Sequence, residues 1–260
     1  MRLERVALMA ALALMMAGCV TERPDTPESR LREPKGSKNQ DSARVFTELG
    51  QHYLQTNDLQ GALTQFNKAL KYDEKYEPAQ TLIAATYERI HDTANAELHY
   101  RKAQGIDPAR GGPNNNLGAF LCRTGRTAEG LPYFQKAVAD PFNQAPSVAW
   151  INAGTCHITA GDPAAAEEDF RKALTVDPNN GEALYQLANM LYQRNDAFRA
   201  SAFMQRYDAL GQASPQALKL GFDIETRLGD KDAALNYRRR LQSQFPESEQ
   251  ARALDITASP

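Results

Sequence analysis

The feature that most constrains this chain is a sequence pattern that repeats every 34 residues from residue 43 onward. Small residues and aromatic residues recur in step, at positions that include Gly50, Ala84, Gly118, Phe66, Tyr100 and Phe134. Four copies are clear, two looser copies extend to residue 248, and a two-residue slip near residues 144–146 separates the third copy from the fourth. A repeat of this length is one structural unit that stacks on its neighbours, because a single unit cannot bury its apolar face alone.

Each unit has the pattern of two helices joined by a short turn. Its first half carries apolar residues three and four positions apart, which predicts a helix with one buried stripe. Turn residues such as Gly125-Arg126 and Gly229-Asp230 lie between the halves, and Asp107-Pro108 ends a second helix. The pattern resembles the tetratricopeptide repeat. We therefore predict an all-α fold, a right-handed superhelical solenoid of about six tetratricopeptide repeats, each an antiparallel helix pair, over residues 43–248, with a C-terminal tail over residues 249–260.

The N-terminus has the pattern of a secretory signal peptide. Arg2 and Arg5 precede an apolar run over residues 6–17, which is too short to span a bilayer. The run ends in Met16-Ala17-Gly18-Cys19, which resembles the bacterial lipoprotein cleavage motif, although Met16 stands where leucine is usual. This resemblance implies that residues 1–18 are removed and that Cys19 is acylated, since two or three acyl chains anchor a soluble domain stably. The alternative is an ordinary cleaved signal with an incidental cysteine.

Residues 19–42 are predicted to be the lipidated cysteine followed by a disordered tether. This segment contains three prolines and ten charged residues, and Leu31 is its one sizeable apolar residue beyond Val20. Such a composition cannot bury enough surface to offset the entropy lost on ordering. By resemblance to lipoproteins, Val20 after the cysteine favours the periplasmic face of the outer membrane as the location.

Composition excludes several classes of function. The chain has 260 residues with 30 Lys+Arg against 32 Asp+Glu, so it lacks the basic excess that drives nucleic-acid binding. Four histidines and three cysteines are too few for a zinc cluster, and no cofactor is expected apart from the acyl chains on Cys19. The sequence has no phosphate-binding glycine loop after a strand, no serine elbow and no catalytic His-Cys-Asp arrangement. The glycine pair Gly111-Gly112 falls at a repeat boundary, where a loop is expected. We therefore predict that the chain is not an enzyme and has no small-molecule substrate.

A solenoid of helix pairs offers a concave surface, lined by the first helix of every unit, that suits an extended peptide or a partner helix. We predict a partner-binding groove formed by the first-helix residues that face away from the buried stripe: Thr47, Gln51, Thr81, Ala85, Glu88, Asn115, Ala119, Arg123, Ile151, Thr155, Ile158, Tyr185, Asn189 and Tyr192. These positions are mostly neutral and partly apolar. They disfavour the cationic clamp with which chaperone-binding tetratricopeptide domains hold a terminal carboxylate, and they favour an internal segment.

The two other cysteines, Cys122 and Cys156, lie 34 residues apart near the ends of the first helices of neighbouring units. With the two-residue slip they are about half a turn out of register, which a bridge tolerates. In an oxidising compartment a disulfide is favoured. The alternative is two buried free thiols that serve as small apolar groups.

Together, the lipoprotein motif, the tether and the six repeats resemble the PilF/PilW family of type IV pilus biogenesis lipoproteins. The likeness is strongest in GPNNNLGAFLCRTGRTAEGLPYFQKAVADP, residues 112–141, and in WINAGTCHITAGDPAAAEEDFRKAL, residues 150–174. The resemblance implies a pilotin, which binds the pilus secretin, brings it to the outer membrane and promotes its multimerisation. The alternative is a periplasmic tetratricopeptide scaffold lipoprotein for another envelope complex, in cell-wall synthase activation or outer-membrane protein assembly.

Overall fold

The computed structural model describes residues 35–256, and in this range the chain forms α-helices and no strand. The helices are α1 (Lys35–Gln55), α2 (Leu59–Tyr72), α3 (Glu77–Arg89), α4 (Thr93–Ile106), α5 (Gly111–Arg123), α6 (Thr127–Ala139), α7 (Pro146–Thr159), α8 (Pro163–Val176), α9 (Gly181–Gln193), α10 (Ala197–Asp208), α11 (Pro215–Leu228), α12 (Lys231–Gln244) and α13 (Glu249–Ile256). The first twelve pack as six consecutive pairs, which confirms the predicted all-α solenoid. The predicted signal peptide, Cys19 and most of the tether lie outside the described residues.

The turn inside each helix pair shows the repeat in the backbone. One residue per turn adopts a left-handed conformation, with φ between 61° and 81°, at Asn57, His91, Gly125, Gly161, Asn195 and Gly229. These residues are 34 positions apart except for Gly125 and Gly161, which are 36 apart, so the two-residue slip lies between the third and fourth pairs. In five of the six turns the next residue is an aspartate whose carboxylate accepts a hydrogen bond from an amide in the first turn of the second helix.

Close contact between the two helices of a pair depends on a small residue that faces a ring. A Cβ atom placed on Gly50 would lie 2.3 Å from the Phe66 ring, and one on Gly154 would lie 2.8 Å from Phe170. Gly221 faces Tyr237 in the same way, at 2.6 Å. The sixth unit is therefore regular at this contact, although its sequence pattern is looser than that of the other units.

The first helix begins earlier than the sequence indicated. Residues 35–42 were assigned to the tether, but they form the start of α1, which runs from Lys35 to Gln55. Pro34 is the last proline before this helix, so no imide interrupts the backbone hydrogen bonds after it. The compact unit starts at Gln40, and every buried core residue of the described range lies within it.

The predicted C-terminal tail also contains a helix. α13 covers residues 249–256, and its Ala251 and Leu254 pack against Leu218, Tyr237 and Leu241. The Ser248 hydroxyl accepts a hydrogen bond from the Ala251 amide and so caps the helix. Apolar spacing over these few residues was too short a signal to predict this helix. Its effect is to cover the apolar end that the sixth pair would otherwise expose.

Candidate protein-binding groove

The predicted groove residues lie on α1, α3, α5, α7 and α9, the first helices of five pairs. Gln51, Arg123, Thr155 and Ile158 are exposed, and nine others are half-buried: Thr81, Ala85, Glu88, Asn115, Ala119, Ile151, Tyr185, Asn189 and Tyr192. Thr47 is the exception. Its side chain is packed into the protein with 4% exposure, and its hydroxyl donates to the Ala43 carbonyl at 2.8 Å. Thr47 therefore does not line an open surface, and its prediction as a groove residue was wrong.

The charged residues of the groove are joined across the second and third pairs. Arg123 donates to both carboxylate oxygens of Glu88, with Nη2 2.8 Å from Oε2. The Tyr100 hydroxyl also donates to this carboxylate, at 2.7 Å. Burial raises the pKa of Tyr100, and the hydrogen bond to Glu88 raises it further. Glu88 and Arg123, predicted as separate groove residues, thus form one neutral unit that connects α3 to α5.

Arginines of other first helices are likewise occupied by the preceding pair. Arg89 donates to the Leu54 carbonyl at 3.3 Å and to the Asn57 side chain at 2.7 Å. Arg227 makes the equivalent contacts with the Tyr192 carbonyl, at 3.2 Å, and the Asn195 side chain, at 3.0 Å. These guanidinium groups hold successive pairs together, so they are not arranged as a clamp for a carboxylate.

This role of Arg89 and Arg227 was missed by the sequence prediction. The signal is a spacing of 35 residues, one more than the repeat, which relates Arg89 to Leu54, Arg123 to Glu88 and Arg227 to Tyr192.

The middle of the groove presents an apolar strip along α7. Ile151 and Ile158 are seven residues apart on one helix face, and Val148 lies three residues before Ile151 on the same face. Val148 is 42% exposed and Ile158 is 43% exposed. Val148 was not predicted as a groove residue, although helical spacing from Ile151 was enough to find it.

Tyr185 and Tyr192 occupy the positions on α9 that lie 34 residues after Ile151 and Ile158. Tyr185 lies 6.3 Å from Tyr207, measured between ring centroids, and the Arg227 guanidinium carbon lies 4.1 Å above the Tyr192 ring. We use the name central strip for the residues Val148, Ile151, Ile158, Tyr185 and Tyr192. The strip combines exposed aliphatic groups with rings that are fixed by their neighbours, which is a surface suited to the apolar face of a peptide.

Beneath the groove, α5 and α7 are covalently joined. Cys122 and Cys156 form a disulfide with their Cα atoms 5.6 Å apart, a separation that is ordinary for this bond. Both cysteines pack with Phe134 and Ala153, and Ala119 covers them from the groove side. On the same helices, the Asn152 amide donates to the Asn115 side chain at 2.9 Å. The bond and the amide contact hold the third and fourth pairs at the position of the two-residue slip.

His157 of α7 and Asp169 of α8 make a polar contact within the fourth pair. His157 Nδ1 lies 2.8 Å from Oδ2 of Asp169, which is 3% exposed and has Lys172 3.7 Å away. Within residues 35–256 no three histidine, cysteine or acidic side chains converge as metal ligands. No helix in this range is both long and apolar enough to cross a membrane.

Comparison with known proteins identifies the repeat and its relatives. Two tetratricopeptide repeat family models match residues 47–111 and residues 157–220. Over 245 residues the chain is 28% identical to the type IV pilus assembly protein PilF of Pseudomonas aeruginosa, a match that covers 94% of this chain and 95% of PilF.

Two solved structures resemble the chain over most of its length. The crystal structure of PilW, a widely conserved type IV pilus biogenesis factor, matches with a TM-score of 0.71 and 31% identity over 82% of this chain and 97% of PilW. The structure of Pseudomonas aeruginosa PilF matches with a TM-score of 0.73 and 24% identity over 85% of this chain and 99% of that one. At this lower identity the second match supports the fold.

Proposed function

Because this chain belongs to the PilF/PilW family of tetratricopeptide-repeat type IV pilus biogenesis factors, we propose that it is a pilotin. In this function it binds subunits of the pilus secretin, brings them to the outer membrane and promotes their multimerisation there. The family supports a role in pilus biogenesis, and the groove supports binding of a protein segment. Secretin as the partner is our proposal.

The observation that carries the binding role is the central strip. Its aliphatic groups, exposed at Val148 and Ile158 and half-buried at Ile151, lie along three turns of α7, and two tyrosines continue it onto α9. The groove arginines Arg89, Arg123 and Arg227 are held by contacts with neighbouring pairs. A segment that binds here therefore gains most from burying apolar side chains, and an amphipathic stretch of a secretin subunit fits this requirement.

The membrane part of the proposal rests on the N-terminus. Cys19 follows Met16-Ala17-Gly18, and we propose that acyl chains on this cysteine hold the chain on the periplasmic face of the outer membrane. In this arrangement the lipid supplies the location and the solenoid supplies the contact with secretin. Replacement of Cys19 by alanine is expected to release the protein from membrane fractions and to abolish twitching motility.

The test of the function is the amount of heat-resistant secretin multimer in outer membranes. A strain that lacks the gene is expected to lose the multimer and to regain it with the wild-type gene. Ile158→Glu places a charge in the central strip and is expected to reduce both the multimer and the capture of secretin by crosslinking. Normal multimer levels in the deletion strain would contradict the proposal, and would favour a scaffold for another envelope complex.

A matched variant separates loss of the groove from loss of the fold. Phe198 is an exposed apolar residue of α10, a second helix, and its side chain is 79% exposed. Phe198→Glu introduces the same charge away from the central strip. It is expected to leave secretin multimers at the wild-type level, so equal effects of the two variants would argue against the groove.

A further inference from the structure

A cleft with a positive rim lies outside the groove, between the ends of α2 and α4. It has a volume of about 670 Å³, which lies in the range of small-molecule sites. Leu70 and Ile106 form apolar parts of its wall, and the side chains of Lys71, Lys75 and Lys102 surround them. All three lysines are exposed. We use the name lysine cleft for this cavity.

The ammonium groups of the lysine cleft are not neutralised by the protein. Lys71, Lys75 and Lys102 form no ion pair with a carboxylate in the described part of the chain. Glu74 is the one acidic residue of the lining, so the cleft has a formal charge of +2, from three lysines and one glutamate, in a chain whose net charge is −2. By contrast, Arg101 on the same helix as Lys102 is paired with Glu97 and Glu129. The cleft therefore concentrates positive charge that the fold does not use.

The position of the lysine cleft relates it to the N-terminal end of the unit. Phe46 of α1 stacks on Tyr72 at the end of α2, with ring centroids 5.4 Å apart. Gln40, where the compact unit starts, is six residues before Phe46, or roughly 9 Å along a helix. Lys71 is adjacent to Tyr72, so the cleft opens at the end of the first pair where the chain enters. Cys19 is 21 residues before Gln40, a chain length of at most roughly 75 Å.

We propose that the lysine cleft binds the phosphate-bearing headgroups of anionic phospholipids on the membrane to which Cys19 is anchored. This inference rests on the proposed lipid anchor and adds a second contact with the same membrane. Each lysine near an anionic surface strengthens binding only about fivefold, which is weak for one free domain but effective for a domain already held nearby by its lipid. The consequence is an orientation in which the first pair faces the membrane.

The experiment uses residues 35–260, which contain the whole described fold but no lipid anchor. Binding is measured by sedimentation with vesicles of phosphatidylcholine, with or without phosphatidylglycerol. We expect binding that requires phosphatidylglycerol and weakens as sodium chloride is raised. Lys71→Glu/Lys75→Glu/Lys102→Glu is expected to lower the partition coefficient at least about tenfold. The control Arg110→Glu/Lys136→Glu/Lys231→Glu changes the net charge equally and is expected to retain most of the binding.

Two results would overturn the proposed lipid site. Equal loss in both triple variants would show a response to net charge and would overturn a local site. Binding that is the same with and without phosphatidylglycerol would overturn a site for anionic lipid. A melting curve confirms that each variant is folded. The assay contains no secretin, so it succeeds or fails independently of the multimer measurement that tests the proposed function.

Discussion

The Arg123 guanidinium group and the Glu88 carboxylate form a two-pronged ion pair between helices of consecutive repeats, with the shorter contact at 2.8 Å. Arg123 is 55% exposed at its side chain, whereas Glu88 is 24% exposed and receives the Tyr100 hydroxyl as well. The pair therefore combines one partner held by the fold with one that reaches across the groove. It fixes the relation between the second and third repeats at the concave surface.

A double-mutant cycle with Arg123→Ala and Glu88→Gln is expected to give a coupling free energy of about 0.5–1 kcal/mol, because the contact is bidentate but solvent screens it. Urea unfolding of the four proteins measures it. The control cycle uses Arg44 and Glu48, an exposed pair within α1, and is expected to give about 0.3 kcal/mol. No difference between the two cycles would mean that the inter-repeat pair adds nothing beyond a surface contact.

The Cys122–Cys156 disulfide closes a sequence separation of 34 residues. We predict that reduction, or the double variant Cys122→Ala/Cys156→Ala, lowers the free energy of unfolding by about 3–4 kcal/mol in the chain-entropy model. Thiol titration of the denatured, non-reduced protein with Cys19 absent is expected to find no free thiol. Two free thiols would show that the cysteines serve as apolar groups. A reductant is expected to leave the stability of the double variant unchanged.

His91 occupies the left-handed position of its turn, with φ of 61°, where three other repeats have glycine. Non-glycine residues are strained in this region, so His91→Gly is expected to raise the free energy of unfolding by up to about 1 kcal/mol. Gly125→Ala is the reciprocal control at φ of 81° and is expected to lower it by about 1 kcal/mol or more. Thermal or urea denaturation measures both. A destabilised His91→Gly protein would indicate that the imidazole makes a stabilising contact.

Gly154 allows α7 to approach the ring of Phe170, which is fully buried. Gly154→Ala is expected to destabilise the protein by about 1–3 kcal/mol, because the new methyl group overlaps a ring that is itself fully buried. The control is Gly105→Ala, since a Cβ at this exposed helical position meets nothing within 4 Å. That substitution is expected to stabilise by about 0.5–1 kcal/mol. Equal effects on unfolding would contradict the packing role of Gly154.

We expect His99 to make the stability of the protein depend on pH. Burial and the nearby Lys102 lower the pKa of His99 below its ordinary value of 6.5, while its Nδ1 lies 2.7 Å from the Gln80 side-chain oxygen. The unfolded chain therefore takes up this proton at a higher pH than the folded chain. The stability is present in full above about pH 6.5 and is lost as the pH falls from there through the lower pKa of His99 in the folded protein. His99→Gln is expected to reduce the change in the free energy of unfolding between about pH 7.5 and pH 5, approximately the range in which histidine titrates. An unchanged slope of the unfolding free energy against pH would show that another group causes the pH dependence.

The repeat period predicts most of the fold, because small residues, rings and turns recur at positions that pack in the same way in each pair. His91 shows where this fails. Its residue type is unusual in a left-handed turn, and only the alignment of the neighbouring units identifies its conformation. The helix over residues 249–256 was missed for a related reason, since its stability comes from contacts with α11 and α12 and not from a local pattern.

The groove was predicted in outline from which helix faces are apolar, but its electrostatics was not. Glu88 and Arg123 belong to separate repeats, and nothing in either repeat alone shows that they pair. Thr47 has the polar character of a groove residue, yet packing buries it. Sequence spacing gives the direction of a side chain, whereas its neighbours from other repeats decide its exposure and its partners.

The disulfide also limits how far a pulling force can extend the protein. Under such a force a stack of repeats unfolds from its ends, one pair after another, because each pair is stabilised by its neighbours. The chain between Cys122 and Cys156 is closed into a loop, so pulling on the two termini cannot straighten these 34 residues while the bond is intact. That removes roughly 110–120 Å of extension. If the proposed acyl chains fix one end of the molecule, the oxidised protein would therefore extend over a shorter distance than its sequence length implies.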